Sequence, residues 1–405
     1  MSTITQHHLP HKEAMETSFD WILYPLKFSE FQDTYFEKKP LHIERKDATY
    51  YQHILTADML DTILYNQSMK YPALKLTNAN DDINHEKYLY GENRVNYTEL
   101  LKQFSQGATI IMSGLHEHLA SLGELTTQLT KSCFHKFQTN IYITPKNSQG
   151  FKYHYDTHDV FALQIHGKKT WKIFGEAPIE LPTKMQEFET GKYESGPLMQ
   201  ELEVNAGDLL YIPRGVMHQA ETNDELSIHI TLGWLGFTWT DLLLESILEL
   251  SKKNVEFRKY LPTDMLKDEP TAEHQAILTE LWDLCAKRMS LKESANRFKK
   301  EIINGQKPNL INIIKIGSQV QEVNPETIFE LRTNVILNTR RKDEQIALEW
   351  LGKLVEFPEY TEEAIQYIIQ SKSEFTMKDI PDCIDDEGKI VLLKRLTREG
   401  LLKIK

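Results

Sequence analysis

The run "GFKYHYDTHDVFALQIHGKKTW" (Gly150–Trp171) holds three histidines, two aspartates and two adjacent lysines among residues that otherwise read as β-strand. Polar side chains on a half-buried strand are costly unless something satisfies them. Such a strand either faces water or turns its polar face toward a bound ion. His154 and Asp156 are two apart, the spacing that puts both side chains on one face of a strand. A shared ion needs a third ligand from a neighbouring strand. The run "GDLLYIPRGVMHQAE" (Gly207–Glu221) offers one, because His218 follows a strand and a Pro-Arg-Gly turn.

Two imidazoles and one carboxylate on one side of an ion form a facial triad, the donor set of non-haem iron(II) oxygenases, which leaves the other positions open. A lone H-x-D is weak, whereas H-x-D paired with G-x₅-P-x-G-x₂-H is specific. His158 shares parity with His154 and Asp156 and reads as a group supporting the ligands. His166, His135 and the cluster His7, His8 and His11 read as solvated or hydrogen-bonded residues without a role in the site.

The lysines divide by parity. In "GKKTWKIF", Lys168, Thr170 and Lys172 share a wet face, while Lys169 falls on the apolar face with Trp171 and Ile173. An unpaired ammonium there is penalised. Either a protein carboxylate or a bound anion such as 2-oxoglutarate must offset it. Asn140 and Tyr142 share a face of "FQTNIYIT", opposite Ile141 and Ile143, which lets an amide and a phenol line the same cavity.

Around these motifs the segment from Phe137 to Trp234 consists of short β runs separated by Gly, Pro, Asn and Asp, a pattern of sandwiches and barrels. Before it, residues 1–19 are polar and read as disordered. "SEFQDTYFEKKP" predicts a helix stopped before Pro40. "TADMLDTIL" opens with Thr56 at an N-cap, and "NYTELLKQFSQGATIIM" predicts a helix ended near Gly107, then a strand. After it, "TWTDLLLESILELSKKNVEFRKYL" and "AEHQAILTELWDLCAKRMSLKESANRFKKEI" are helical. In the first of these Leu242, Leu243, Ile247 and Leu250 recur at helical spacing, fitting a dimer face or an intrachain core.

The 405 residues suffice for two or three domains. Charged residues make up 26%, and no apolar run approaches the roughly 20 residues that span a bilayer. The three cysteines are far apart, as suits a reducing cytoplasm. A net charge of −12 disfavours nucleic-acid binding as a main role.

The stretches "FEKKPLHI", "GATIIMSGLHEH", "TNIYITPKNSQGFKYHYDTHDVFALQIHGKKTWKIF" and "VNAGDLLYIPRGVMHQAE" resemble the JmjC-type iron(II)- and 2-oxoglutarate-dependent oxygenases, above all the ribosomal oxygenase subgroup. The last of them also resembles the second signature motif of cupins. The resemblance implies a mainly β catalytic domain over residues 20–237, folded as a double-stranded β-helix. It further implies an α-helical dimerisation region over 238–307 and a C-terminal winged-helix domain over 308–405. His154, Asp156 and His218 then correspond to iron ligands, and Lys169 to the partner of the distal carboxylate of 2-oxoglutarate. Asn140 corresponds to a second cosubstrate-binding residue, and Tyr142 faces the substrate. The implied activity is dioxygen-dependent hydroxylation of a histidine or arginine side chain in a ribosomal protein, with succinate as coproduct. The competing readings are a catalytically idle JmjC-like module that binds protein or nucleic acid, and a metal cupin isomerase, which has no need of Lys169.

Overall fold

The computed structural model describes residues 2–5, 18–175, 177–267, 269–307, 310 and 312–405. Along the first 235 residues the strands are β1 (Ser2–Thr5), β2 (Leu41–Glu44), β3 (Leu74–Thr77), β4 (Leu89–Tyr90), β5 (Arg94–Val95), β6 (Thr109–Ser113), β7 (Lys136–Thr144), β8 (Asp159–His166), β9 (Lys168–Phe174), β10 (Leu198–Asn205), β11 (Leu209–Ile212), β12 (His218–Glu221) and β13 (Ser227–Leu235). The helices among them are α1 (Phe19–Leu23), α2 (Phe28–Thr34), α3 (Ala57–Tyr65), α4 (Tyr97–Ser105) and α5 (Ala120–Cys133). An eight-stranded sheet runs β1-β2-β11-β8-β13-β7-β6-β3, and a three-stranded sheet runs β10-β9-β12. Pairing is antiparallel except between β1 and β2.

Alternation assigns the faces of the large sheet. Ile141, Ile143, Phe161, Leu163, Ile228, Ile230 and Leu232 point one way, into a hydrophobic core shared with Phe19, Phe31, Leu60, Leu100 and Leu125 of the helices. On the other face Ala162, Leu210 and Ile212 pack against Trp171, Ile173, Leu202 and Val204 of the small sheet. The sheet is thus covered on both sides, which is why β13 is buried along almost its whole length. Each fully buried Ile or Leu contributes about 1.5–3 kcal/mol. On the inner face of β7 and β13 the apolar filling gives way to Asn140, Tyr142, His229 and Thr231, and there the cavity opens.

The helix starts follow the sequence. Thr56 accepts the Met59 N–H and Asn96 the Glu99 N–H, each capping its helix. Three expectations change. The N-terminus begins with a strand, since Ser2–Thr5 pair with Leu41–Glu44 rather than staying disordered. Residues 6–17, including His7, His8 and His11, lie outside the described residues. The helix expected to reach Pro40 ends at Thr34, and Glu37 takes a left-handed φ of 56° that no helix continues through. Residues 151–158 form no strand apart from one bridge, between His154 and His218.

Beyond Leu235 come α6 (Trp239–Lys253), α7 (Thr263–Lys267), α8 (Ala272–Arg288), α9 (Leu291–Gly305), α10 (Ile313–Gln319), β14 (Phe329–Leu331), β15 (Asn338–Lys342), β16 (Gln345–Trp350), β17 (Lys353–Pro358), α11 (Glu362–Gln370), α12 (Asp386–Arg398) and β18 (Leu402–Ile404). Contacts group the chain into two units. One is Met1–Leu235 with Lys307–Ile336 and Phe357–Lys405, and the other is Gly236–Gln306 with Leu337–Glu356. In the second unit a Thr238–Asp241 capping box opens α6, and Ser290 caps α9. The meander β15-β16-β17 precedes α11 and α12. The hairpin forms where Asp343 accepts a left-handed φ of 53°. After α12 the strand β18 pairs back onto β14.

Candidate active site

The bridge between His154 and His218 is reciprocal. The His154 N–H donates to the His218 carbonyl at 3.0 Å, and the His218 N–H to the His154 carbonyl at 2.8 Å. This pairing, and not a continuous strand, sets His154 beside the start of β12. The Pro-Arg-Gly turn ties in the third residue, because the Gly215 N–H donates to the Asp156 carbonyl at 3.0 Å. Gly215 has a φ of 86°, and a Cβ there would lie 2.4 Å from the Ile179 carbonyl oxygen, so no other residue fits. Arg214 anchors the same turn through Glu37 at 2.7 Å and Asp159 at 3.5 Å.

The two imidazoles are oriented alike. His154 Nδ1 lies 2.9 Å from the Lys152 carbonyl and His218 Nδ1 lies 3.0 Å from the Val216 carbonyl. A carbonyl only accepts, so each Nδ1 carries a proton, and Nε2 is the ring nitrogen left to ligate. One donor atom from each of His154, Asp156 and His218 lies within 4.8 Å of the others, and His218 Nε2 is 3.6 Å from Asp156 Oδ2. Burial, then the charge of His154, lowers the His218 pKa to about 4, which keeps the ring neutral. Burial works against the charge of Asp156, but the imidazoles of His154, His158 and His218 outweigh it and hold the carboxyl below its usual range. Two imidazoles and a carboxylate with their ligating atoms this close together fit a divalent transition metal.

The lysine parities hold in three dimensions. Lys168 pairs with Glu203 at 3.2 Å and Lys172 with Glu221 at 2.7 Å, both on the wet face of β9. Lys169 is 4% exposed, and its Nζ donates to Thr144 Oγ1 at 3.1 Å. No carboxylate pairs with it among the described residues, so the salt-bridge alternative lacks a partner. Burial alone lowers its pKa to about 7. Asn140, Tyr142, Lys169 and the His154–Asp156–His218 group all line one cavity between the two sheets. A ligand with a metal-chelating end and an anionic far end fits this arrangement.

Thr144, Trp171, His229 and Thr231 also matter here and were not picked out from the sequence. The signal was present in "SIHITLG", where His229 and Thr231 alternate with Ile228, Ile230 and Leu232. His158 reaches the cavity too. Its ring lies over Gly233, where a Cβ would come within 2.7 Å of it. His166 is exposed, and His135 packs near Trp234.

Residues 115–242 match the family model for the JmjC domain. The chain is 29% identical over 423 residues to the Dictyostelium discoideum bifunctional lysine-specific demethylase and histidyl-hydroxylase NO66, covering 94% of this chain and 81% of that protein. It is 30% identical over 276 residues to human ribosomal oxygenase 1, covering 63% of this chain and 41% of that protein. The chain therefore spans well under half the length of its human relative. The crystal structure of the Escherichia coli ribosomal oxygenase YcfD superposes with a TM-score of 0.52 at 14% identity, over 94% of this chain and 98% of that one. A YcfD structure in complex with cobalt and 2-oxoglutarate superposes with a TM-score of 0.50 at 13% identity, over 94% and 99% of the two chains. These likenesses bear on the fold.

Residues 115–242 thus resemble a JmjC domain in sequence, and the fold is that of the YcfD structures. The relatives that the chain is similar to carry the names histidyl-hydroxylase NO66 and ribosomal oxygenase 1. No helix among the described residues is long and apolar enough to cross a membrane.

Proposed function

We propose that the protein hydroxylates a side chain, histidine or arginine, of a ribosomal protein. One observation carries this reading: the His154–Asp156–His218 group and the buried, carboxylate-free Lys169 line the same cavity. In this reading His154 Nε2, Asp156 and His218 Nε2 hold iron(II). The metal, with 2-oxoglutarate and dioxygen, would supply the oxidising chemistry when bound: one oxygen atom ends in succinate as carbon dioxide is lost, and the other in the hydroxylated side chain. The protein's own part is orientation. The Nδ1 hydrogen bonds of the two histidines fix the tautomer that ligates. Lys169 holds the distal carboxylate, with Thr144 steering its ammonium. Asn140 assists with the cosubstrate, and Tyr142 borders the substrate side.

The same reading makes residues 20–237 the catalytic domain, 238–307 a helical dimerisation region and 308–405 a winged-helix-like domain. Exposed Trp239, Leu244 and Leu248 on α6 and Trp282 on α8 suit a homodimer surface. Three free cysteines suit a cytoplasmic location.

The test is succinate release from 2-oxoglutarate with and without iron(II), in the presence of ribosomal proteins whose mass is then read for a gain of one oxygen. Iron-dependent succinate with a modified histidine or arginine is the expected result. Absence of iron-dependent turnover with every ribosomal protein would overturn the reading.

A further inference from the structure

His229 sits within β13 at 3% exposure and lines the cavity. Its Nδ1 is buried with no hydrogen-bond partner among the described residues. The ring is held by its faces and edges. It stacks on Tyr142, its ladder partner across β7 and β13, with centroids 4.8 Å apart and planes 2° from parallel. Trp171 meets it edge-on at 5.5 Å. A phenyl ring would satisfy both contacts and leave no polar atom stranded. The β13–β8 register also shifts between Ile228 and His229, so the strand departs from regular pairing at this residue. A buried, unpaired polar atom calls for a partner, and this one belongs to a ring that lines a cavity a ligand can fill.

The neighbourhood says which ligand group. Burial first, and the charge of Lys169 second, hold the His229 pKa well below its usual value. The ring is neutral, with one N–H to donate. A carboxylate offers about four acceptor positions. Lys169 spends one of its donors on Thr144, so a single ammonium leaves a bound carboxylate incompletely satisfied. A neutral imidazole adds a donor without setting a second cation beside the first.

We propose that His229 is a second recognition residue for the distal carboxylate of the cosubstrate. Its ring N–H and the Lys169 ammonium take the same group, so the cavity selects a dicarboxylic 2-oxo acid over a monocarboxylic one. This rests on the reading of the cavity as a 2-oxoglutarate site.

The test uses the full chain loaded with manganese(II), titrated calorimetrically with 2-oxoglutarate and with pyruvate. Pyruvate keeps the chelating 2-oxo acid and lacks the far carboxylate. His229→Phe is expected to weaken 2-oxoglutarate about tenfold while pyruvate stays within about twofold. His229→Asn, which retains an N–H donor, recovers affinity to within about threefold of the parent. Without ligand, the melting temperature of His229→Phe equals or exceeds that of the parent, because an unpaired buried nitrogen has gone. Unchanged 2-oxoglutarate affinity, equal losses for both acids, or a lower melting temperature that tracks the affinity loss would each overturn the inference. If the unmodified protein binds 2-oxoglutarate no better than pyruvate, the cavity reading falls as well. If it selects 2-oxoglutarate and His229→Phe still does, the role of His229 alone falls.

Discussion

The two faces of the eight-stranded sheet are built from alternate residues of the same strands, yet they do opposite things. On β13, Ile228, Ile230 and Leu232 face the helices in a closed apolar core, while His229 and Thr231 face the cavity. On β7, Ile141 and Ile143 face the core, while Asn140 and Tyr142 face the cavity. The outer face stabilises the fold through buried area. The inner face carries groups that burial penalises, an unpaired ammonium and an unpaired imidazole among them. A sheet buried on both sides can bear such groups because its other face holds the strands in register.

The sharpest separation of the two faces comes from Asp156→Ala. It should reduce iron-dependent succinate release by more than ~100-fold, since ligand loss exceeds the effect of removing supporting groups. The melting temperature should stay within a few degrees, and a metal titration read alongside it shows whether the loss lies in the site. Retained turnover would break the assignment of function to this group.

Ile230→Ala is the counterpart on the outer face. Ile230 is fully buried, so unfolding by denaturant should show a loss of about 2–5 kcal/mol. Affinity for 2-oxoglutarate in the surviving folded fraction should be unchanged. A large affinity loss would mean that the faces are not separable.

Lys169→Met tests the cost of the inner face. Cosubstrate affinity should fall roughly ten- to hundredfold, the worth of a charge-assisted hydrogen bond of about 1.5–3 kcal/mol. The ligand-free fold should become more stable at low pH, and the sign follows from linkage. Folding lowers the lysine pKa to about 7 from 10.5, so between those values the unfolded chain binds more protons and stability rises with pH. Below pH 7 both states are protonated and the burial penalty is complete. The gain from Lys169→Met is therefore largest at pH 7 and below, and shrinks toward pH 10.5. For the same reason 2-oxoglutarate binding to the parent should take up a proton above pH 7, with affinity falling by up to about tenfold per pH unit. Destabilisation of Lys169→Met at pH 6, with normal cosubstrate binding, would make the lysine structural.

The smallest effect is expected three residues further along, on the wet side of β9. Lys172→Ala removes a partly exposed ion pair with Glu221 and should change stability by less than about 1 kcal/mol, with no change in cosubstrate affinity. A loss comparable to that of Lys169→Met would erase the contrast between the faces.

Parity along β7, β9 and β13 was legible in the residues themselves, because a strand alternates its faces regardless of what covers them. The separation of Lys169 from Lys168 and Lys172, and of Asn140 and Tyr142 from their isoleucine neighbours, follows from that period. The motif spacing likewise marked His154, Asp156 and His218 as one candidate group. What the sequence could not decide is how His154 and Asp156 come together, because the strand argument fails there. A two-way backbone bridge to His218 and the Gly215 turn hold them instead, and both are contacts between residues far apart in the chain. Nor could it decide whether Lys169 meets a carboxylate, since partners across sheets depend on register and on which strands become neighbours. The placement of β15–β17 and the pairing of Ser2–Thr5 with β2 were hidden for the same reason. Periodicity is a local property and survives in one dimension, whereas satisfaction of a buried charge is settled only when the strands have been brought together.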